Sequence, residues 1–226
     1  MRLNFVFNIV ILIFSIAVVH SEDLPSPQAT DKIIDEQAIL TGVEKRYAAE
    51  GFSARFRQFS TLKAMDIVDT ASGSIVVKHP GKMRWMYEVP EKQTIVSDGH
   101  HLWVYRPQDK QVMVGKTPTF FGNGKGAGFL TDLTSLQKQF EISREKDTPA
   151  GDYRLNLKPR EKTQEISSIH LIVSKKTFNI TEIITVNIYG DETRIEFSEI
   201  QFKKKIDDAI FTFNIPDGVD VIEIDQ

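Results

Sequence analysis

Between Gly73 and Val114 the chain is a succession of short runs in which large apolar side chains occupy every second position, separated by turn dipeptides. Ile75 and Val77 alternate with Ser74, Val76 and Lys78. Met83, Trp85 and Tyr87 alternate with Arg84, Met86 and Glu88. Successive side chains of a strand point to opposite sides, so each run presents one face of large apolar groups that something must cover. A chain built this way is committed to a sheet. What periodicity leaves open is whether the apolar face is sealed by the protein's own core or receives a ligand.

Composition narrows the classes. With 226 residues, 41% of them hydrophobic and 26% charged, the chain suits one globular domain. A net charge of -3 gives no basic field for nucleic acid, so no nucleic-acid partner is expected. The absence of cysteine removes disulfides, thiolate metal sites and thiol nucleophiles together.

At the N-terminus, Arg2 precedes an apolar run from Leu3 to Val19, interrupted by Asn4, Asn8 and Ser15, and Val19-His20-Ser21 leads into Glu22-Asp23. The run is short for a membrane span of roughly 20 residues. It reads as a secretory signal over residues 1–21, cleaved after Ser21, with an uncleaved anchor as the alternative. Residues 22–30, with Pro25 and Pro27, read as a mobile lead, and the folded domain is expected over 31–226.

Ile33, Leu40, Val43 and Tyr47 share one helical stripe that Thr30 or Asp31 can cap and Gly51 can end. From Phe52 the period changes to two, with Phe52, Ala54 and Phe56 on one side. Further strands are expected at 74–78, 83–89, 94–97, 102–105 and 111–114. After an interruption from Lys116 to Gln139, others follow at 140–145, 153–158, 166–173, 180–189 and 193–202. Within the interruption Phe129, Leu130, Leu133 and Leu136 have helical spacing. Asp98-Gly99, Ala150-Gly151-Asp152 and Tyr189-Gly190-Asp191 are hairpin turns, so neighbours pair antiparallel. The fold class is therefore mainly β with some α: one large curled antiparallel sheet of about eleven strands, covered by helices.

Three stretches together resemble a known family. Val77-Lys78-His79-Pro80-Gly81-Lys82-Met83-Arg84-Trp85 comes first. Val96-Ser97-Asp98-Gly99 with Leu102-Trp103-Val104-Tyr105 is the second, and Phe211-Thr212-Phe213-Asn214-Ile215-Pro216-Asp217-Gly218-Val219-Asp220 is the third. In order and spacing, from about Ile33 to Val221, the chain is similar to the bacterial outer-membrane lipoprotein carrier (LolA) family. The resemblance implies a half-open barrel of roughly eleven strands closed by an α-helical lid, holding the acyl chains of a lipoprotein. It implies a non-catalytic, monomeric periplasmic carrier without a cofactor. Such a carrier is loaded by an inner-membrane lipoprotein-releasing transporter and unloaded at an outer-membrane acceptor. A sensor or regulator that binds lipoprotein or lipid with the same barrel is the alternative.

On that expectation the lipid-binding wall comprises Phe52, Phe56, Ile75, Val77, Met83, Trp85, Tyr87, Ile95, Leu102 and Val104, with Phe129, Leu130 and Leu133 from the lid. Further lid candidates are Leu40, Val43, Tyr47, Phe120 and Phe121. The thioethers of Met83 and Met113 suit a surface that must accept variable chains. Members of the family carry Lys-Arg-Pro where this chain has Lys78-His79-Pro80, and that Arg is thought to hold the lid shut by bonding to lid carbonyls. His79 has the parity to point inward with Ile75 and Val77 and offers fewer donors than a guanidinium, so a weaker latch is expected; a solvent-facing strand-end histidine is the alternative.

Other motifs carry less. The glycines at 122, 124, 126 and 128 miss the P-loop pattern, because Lys125 is followed by Gly126, and read either as a lid hinge or as a surface loop. His100 and His101 are adjacent, so on a strand they point to opposite faces and make no chelate; no metal site is expected. There is no Gly-x-Ser-x-Gly elbow, and the acid pairs Asp191-Glu192 and Asp207-Asp208 fall in turns, so no enzyme activity is expected. Lys175-Lys176 and Lys203-Lys204-Lys205 read as solvated strand ends, with weak docking at anionic headgroups or at a membrane partner as the alternative.

Overall fold

The structure, a computed structural model, describes residues 34–116, 128–161 and 165–224. The expected signal and lead over 1–30, Phe120, Phe121 and most of the glycine run lie outside these residues. Strands β1 (Gly51–Leu62), β2 (Ile67–Lys78), β3 (Lys82–Val89), β4 (Gln93–Asp98), β5 (His101–Arg106) and β6 (Gln111–Lys116) form one meander. A second consists of β7 (Phe140–Arg144), β8 (Tyr153–Pro159), β9 (Ser168–Val173), β10 (Ile180–Val186) and β11 (Glu192–Lys203). The meanders join where β11 pairs with β1, giving a single curled sheet in the order β12-β6-β5-β4-β3-β2-β1-β11-β10-β9-β8-β7. All neighbours are antiparallel except β12 (Asp220–Glu223), which adds parallel to β6. The twelfth strand was not expected: its four residues are too few to show a period, and its side chains are exposed.

Register turns alternation into a surface. Ile75 lies opposite Trp85, Trp85 opposite Ile95, and Ile95 opposite Val104. In the next row Val77, Met83, Ser97 and Leu102 are aligned in the same way. Directly opposed residues share a face, so these rows make a continuous inner face from β2 to β5. Beyond β1 it continues through Phe202, Ile200, Phe197 and Ile195, which all pack against the core although 200 and 197 differ in parity. A register shift opposite Ser53/Arg55, with Glu199 at φ 54°, supplies the extra residue that resets the alternation.

Helix α1 (Glu36–Arg46) starts at Asp35, whose Oδ1 accepts the Ala38 N–H at 2.8 Å, and buries Ile39, Leu40 and Val43. It ends at Arg46, five residues before the expected stop. Gly51 instead opens β1, where a Cβ would stand 1.9 Å from the Val77 carbonyl oxygen. The second helical segment is shorter than its spacing suggested. A 3-10 turn (Leu133–Ser135) runs into a single α-helical turn, α2 (Leu136–Gln139), and then into β7.

The outer face of β3–β6 carries a second apolar layer. Val96 and Val112 are buried there, while Trp103 and Tyr105 lie 6.2 and 5.6 Å from the Phe213 ring. The segment after β11 crosses this face, with Phe211 buried and the Ile210 carbonyl accepting from Arg84 Nη1 at 3.1 Å. Lys78 fixes its start through Glu50 and Asp208, both at 2.7 Å. Because Phe211 holds that layer, Phe211→Ala should cost about 3–5 kcal/mol in denaturant unfolding. Phe213→Ala, at a half-exposed position, should cost clearly less.

Candidate functional site

The inner face is where sequence placed the wall, and the structure brings most of those residues together. Phe52, Phe56, Ile75, Val77, Met83 and Trp85 are buried in one cluster with Phe129, Leu130 and Leu133, and Tyr87 and Ile95 pack against it. Leu102 and Val104 are buried on the same face by register but stand outside that cluster. At its centre Phe56 meets Trp85 and Tyr87 edge-on at 4.8 and 4.9 Å, and Trp85 Nε1–H points at Met83 Sδ, 3.1 Å away. The sequence reading missed the other half of the face: Leu155, Leu157, Ile169, Leu171, Val173 and Ile183 belong to the same cluster. Their signal in the sequence is the alternation of β8 and β9, which by itself does not say which side faces the cover; Ile183 comes from β10.

Two short pieces of chain cover this face. One is α1 with Tyr47; the other runs from Phe129 through Leu136. Neither is part of the sheet ladder. Their polar ties to the rest of the molecule include Tyr47 Oη accepting the Ile180 N–H at 3.1 Å, Arg46 Nε donating to Asn179 Oδ1 at 2.7 Å, Arg144 Nη1 donating to the Ile34 carbonyl, His79 Nδ1 at 3.0 Å from the Thr131 carbonyl oxygen, and the Gly81 N–H donating to that same oxygen at 3.5 Å. Tyr47 also packs edge-on against Phe52 and Phe202, at 5.2 and 4.9 Å. Phe178, in the β9–β10 turn, approaches α1 at Gly42, where a Cβ would be 2.3 Å from its ring.

His79 answers the parity argument. It lies at the β2–β3 turn, with its own N–H donated to the Glu50 carbonyl at 2.8 Å. Since a carbonyl only accepts, the bond to Thr131 puts the ring hydrogen on Nδ1. Nε2 is buried and has no hydrogen-bond partner among the described residues. A hollow of about 310 Å³ opens beside it, lined by Tyr47, Ala48, Pro80, Thr131 and Leu133 among others. At the other end of the strands a more polar hollow of about 450 Å³ is bordered by Gln58, Thr70, Tyr87 and Gln93. Between the two, the wall residues of β1–β3 and the two covering pieces are buried against one another in one cluster, so a ligand reaches this part of the face when the cover moves.

The backbone N–H groups of His100 and His101 both donate to Asp98 Oδ1; His100 lies in the turn and only His101 is in β5, so the expected pair of strand histidines on opposite faces does not form. Among the described residues no group of three or more His, Cys, Asp or Glu is placed to hold a metal ion, and no helix is long and apolar enough to cross a membrane.

Burial pushes the phenols of Tyr47 and Tyr87 up to about 12, from an ordinary value of 10.0. The protonated phenols therefore stabilise the fold fully below pH 10, and that contribution is lost as pH rises through 12, because the unfolded chain ionises first. The unfolding midpoint should fall across this window. Replacing both by Phe should flatten the fall, and an equally steep fall in the double variant would contradict the assignment.

The sequence profile of the family described as outer membrane lipoprotein carrier protein LolA matches residues 48–214. A protein of Azotobacter vinelandii named outer-membrane lipoprotein carrier protein is 28% identical, over 84% of this chain and 89% of its own. One of the same name from Nitrosomonas europaea is 31% identical, over 76% of this chain and 82% of its own. Among solved structures, an uncharacterized conserved protein from Thermus thermophilus shares the fold with a TM-score of 0.55 at 13% identity, covering 83% of this chain and 98% of that one. A profile match over most of the chain, on the same strands that build the covered inner face, means that this protein belongs to the outer membrane lipoprotein carrier (LolA) family.

Proposed function

We propose that the chain is a periplasmic carrier that takes the acyl chains of lipoproteins onto the inner face of its sheet and moves them between membranes without covalent chemistry. The observation that carries this reading is the way the face is covered: by two pieces that lie outside the sheet ladder and are held by apolar packing with a scatter of single hydrogen bonds. The residues that meet the acyl chains are Phe52, Phe56, Ile75, Val77, Met83, Trp85, Tyr87, Ile95, Leu102 and Val104. Phe129, Leu130 and Leu133 lift away to admit them. Export relies on the apolar run within residues 1–21.

Magnitudes support an exchange. Uncovering the buried side chains Ile39, Leu40, Val43, Phe129, Leu130, Leu133 and Leu136 costs on the order of 10–20 kcal/mol, at ~1.5–3 kcal/mol each. One acyl chain of roughly sixteen carbons recovers about 12 kcal/mol at ~0.8 kcal/mol per CH₂. Cover and cargo are therefore interchangeable at small net cost, which is what loading and unloading both require.

His79 is the latch in this reading, its bond to the Thr131 carbonyl closing the seam beside the hollow. Losing a bond worth about 1 kcal/mol should leave the cover roughly fivefold more open. An environment-sensitive fatty-acyl probe should accordingly enter His79→Ala more readily than the wild type, whereas His79→Arg, with more donors, should reverse the gain. Equal probe entry in all three proteins would remove the latch role.

The carrier reading is tested with spheroplasts whose inner membrane holds a labelled lipoprotein and a competent releasing transporter. Adding the purified exported chain should bring the label into solution as a one-to-one complex. Label that stays on the membrane would contradict it.

A further inference from the structure

Half of the exposed large apolar side chains in the described structure sit on two adjacent turns. Leu62, Met65, Ile67 and Val68 belong to the β1–β2 turn and the strand ends beside it, and Ile188 and Tyr189 to the β10–β11 turn. Met65 is 68% exposed, Val68 55%, Ile188 51% and Tyr189 72%. The turns are joined: the Lys63 N–H donates to Asp191 Oδ1 at 3.0 Å, and the Lys63 stem lies against Gly190. They project from the end of the sheet opposite His79.

The β10–β11 turn shows apolar side chains while pairing most of its backbone N–H groups within itself. Asn187 Oδ1 accepts the N–H groups of Tyr189 and Asp191, both at 2.9 Å. The Gly190 N–H goes to the Asn187 carbonyl and the Asn187 N–H to the Asp191 carbonyl, both at 3.1 Å. The Asn187 amide also donates to Asp191 Oδ2 at 3.0 Å. A turn with most of its N–H groups paired internally gives up little water at the headgroup boundary, where the polar groups left at its tip stay hydrated.

We propose that these two turns form a bilayer-contact tip, with Met65, Val68, Ile188 and Tyr189 entering the interfacial layer of a phospholipid membrane. Shape and size favour lipid over protein. The groups lie on convex turn ends, which a fluid bilayer receives without a matching pocket. Six partly exposed side chains also fall short of the roughly 800 Å² per partner of a stable protein interface. An aromatic hydroxyl at the tip suits the boundary between headgroup and tail. The charges beside it, Lys63 against Asp66, Asp69 and Asp191, give no net attraction for anionic headgroups, so contact rests on apolar area and should survive salt. The inference does not depend on where cargo binds, since it rests on exposed turn residues that are not part of the proposed acyl wall.

The test is flotation of the purified exported protein with phosphatidylethanolamine/phosphatidylglycerol vesicles, without cargo. The wild type should float, in high salt as in low. Met65→Ser/Tyr189→Ser should reduce the bound fraction about tenfold or more, with an unchanged near-ultraviolet circular dichroism spectrum because both side chains are exposed. Tyr189→Trp should blue-shift in emission on adding vesicles and be quenched by brominated lipid. Flotation that is absent, equal in the double variant, or abolished by salt overturns the proposal. So does a wild-type dimer in sedimentation that the double variant lacks, which would assign the tip to a second copy of the chain. Acyl-probe entry in the same double variant separates this outcome from failure of the carrier reading: it stays intact if only the tip is lost.

Discussion

An open sheet with one largely apolar face cannot stand in water, and the rest of this structure follows from how that face is covered. Hydrogen-bonded pairing holds the strands to one another but does nothing for the surface they present. Here the cover is drawn from outside the ladder, from α1 and from the short segment ending in α2. Apolar contact is strong but non-directional, so it seals the face without fixing the cover in place; the directional part falls to single bonds that include those of His79, Tyr47, Arg46, Arg144 and the Gly81 N–H. Strength in the non-specific term and economy in the specific one make a cover that is stable and still exchangeable.

The outer face shows the contrast. Over β3–β6 the segment after β11 is fastened by Phe211, by Arg84 to the Ile210 carbonyl, and by Lys78 between Glu50 and Asp208. Lys78 holds both carboxyls below their usual range through hydrogen bonds, as Lys82 also does for Asp208. Buried aromatic and ionic ties act together there, and the layer reads as permanent.

Much of the first meander was legible because its alternation is strict: Ile75, Val77, Met83, Trp85, Leu102 and Val104 lie on the inner face, as period two requires. Legibility failed where the backbone departs from period. The bulge at Glu199, which lets Phe197 and Ile200 share a face, has no signature in residue type, and a non-glycine residue at positive φ is not foreseen by composition. Gly51 was misread because a helix stop and a strand forced close to its neighbour both call for glycine; only the Val77 carbonyl, supplied by tertiary pairing, decides between them. The spacing of Phe129, Leu130, Leu133 and Leu136 fits an α-helix as well as the 3-10 turn and single α turn that form, since either geometry brings such residues to one side. Of the candidate site, the gathering of the alternating apolar residues on one buried face was readable and the inward turn of His79 followed from parity, while its partner Thr131, 52 residues away, could come only from the fold.

The central claim is that cargo replaces the cover on the inner face. Hydrogen–deuterium exchange of the full chain, free and in complex with a diacylated lipoprotein, tests it most directly. The amides of α1 and of residues 128–139 should exchange faster in the complex, while those of β1–β3 stay protected in both. Protection of the cover that is unchanged or increased on binding would mean that the lipid sits elsewhere, and would contradict the account.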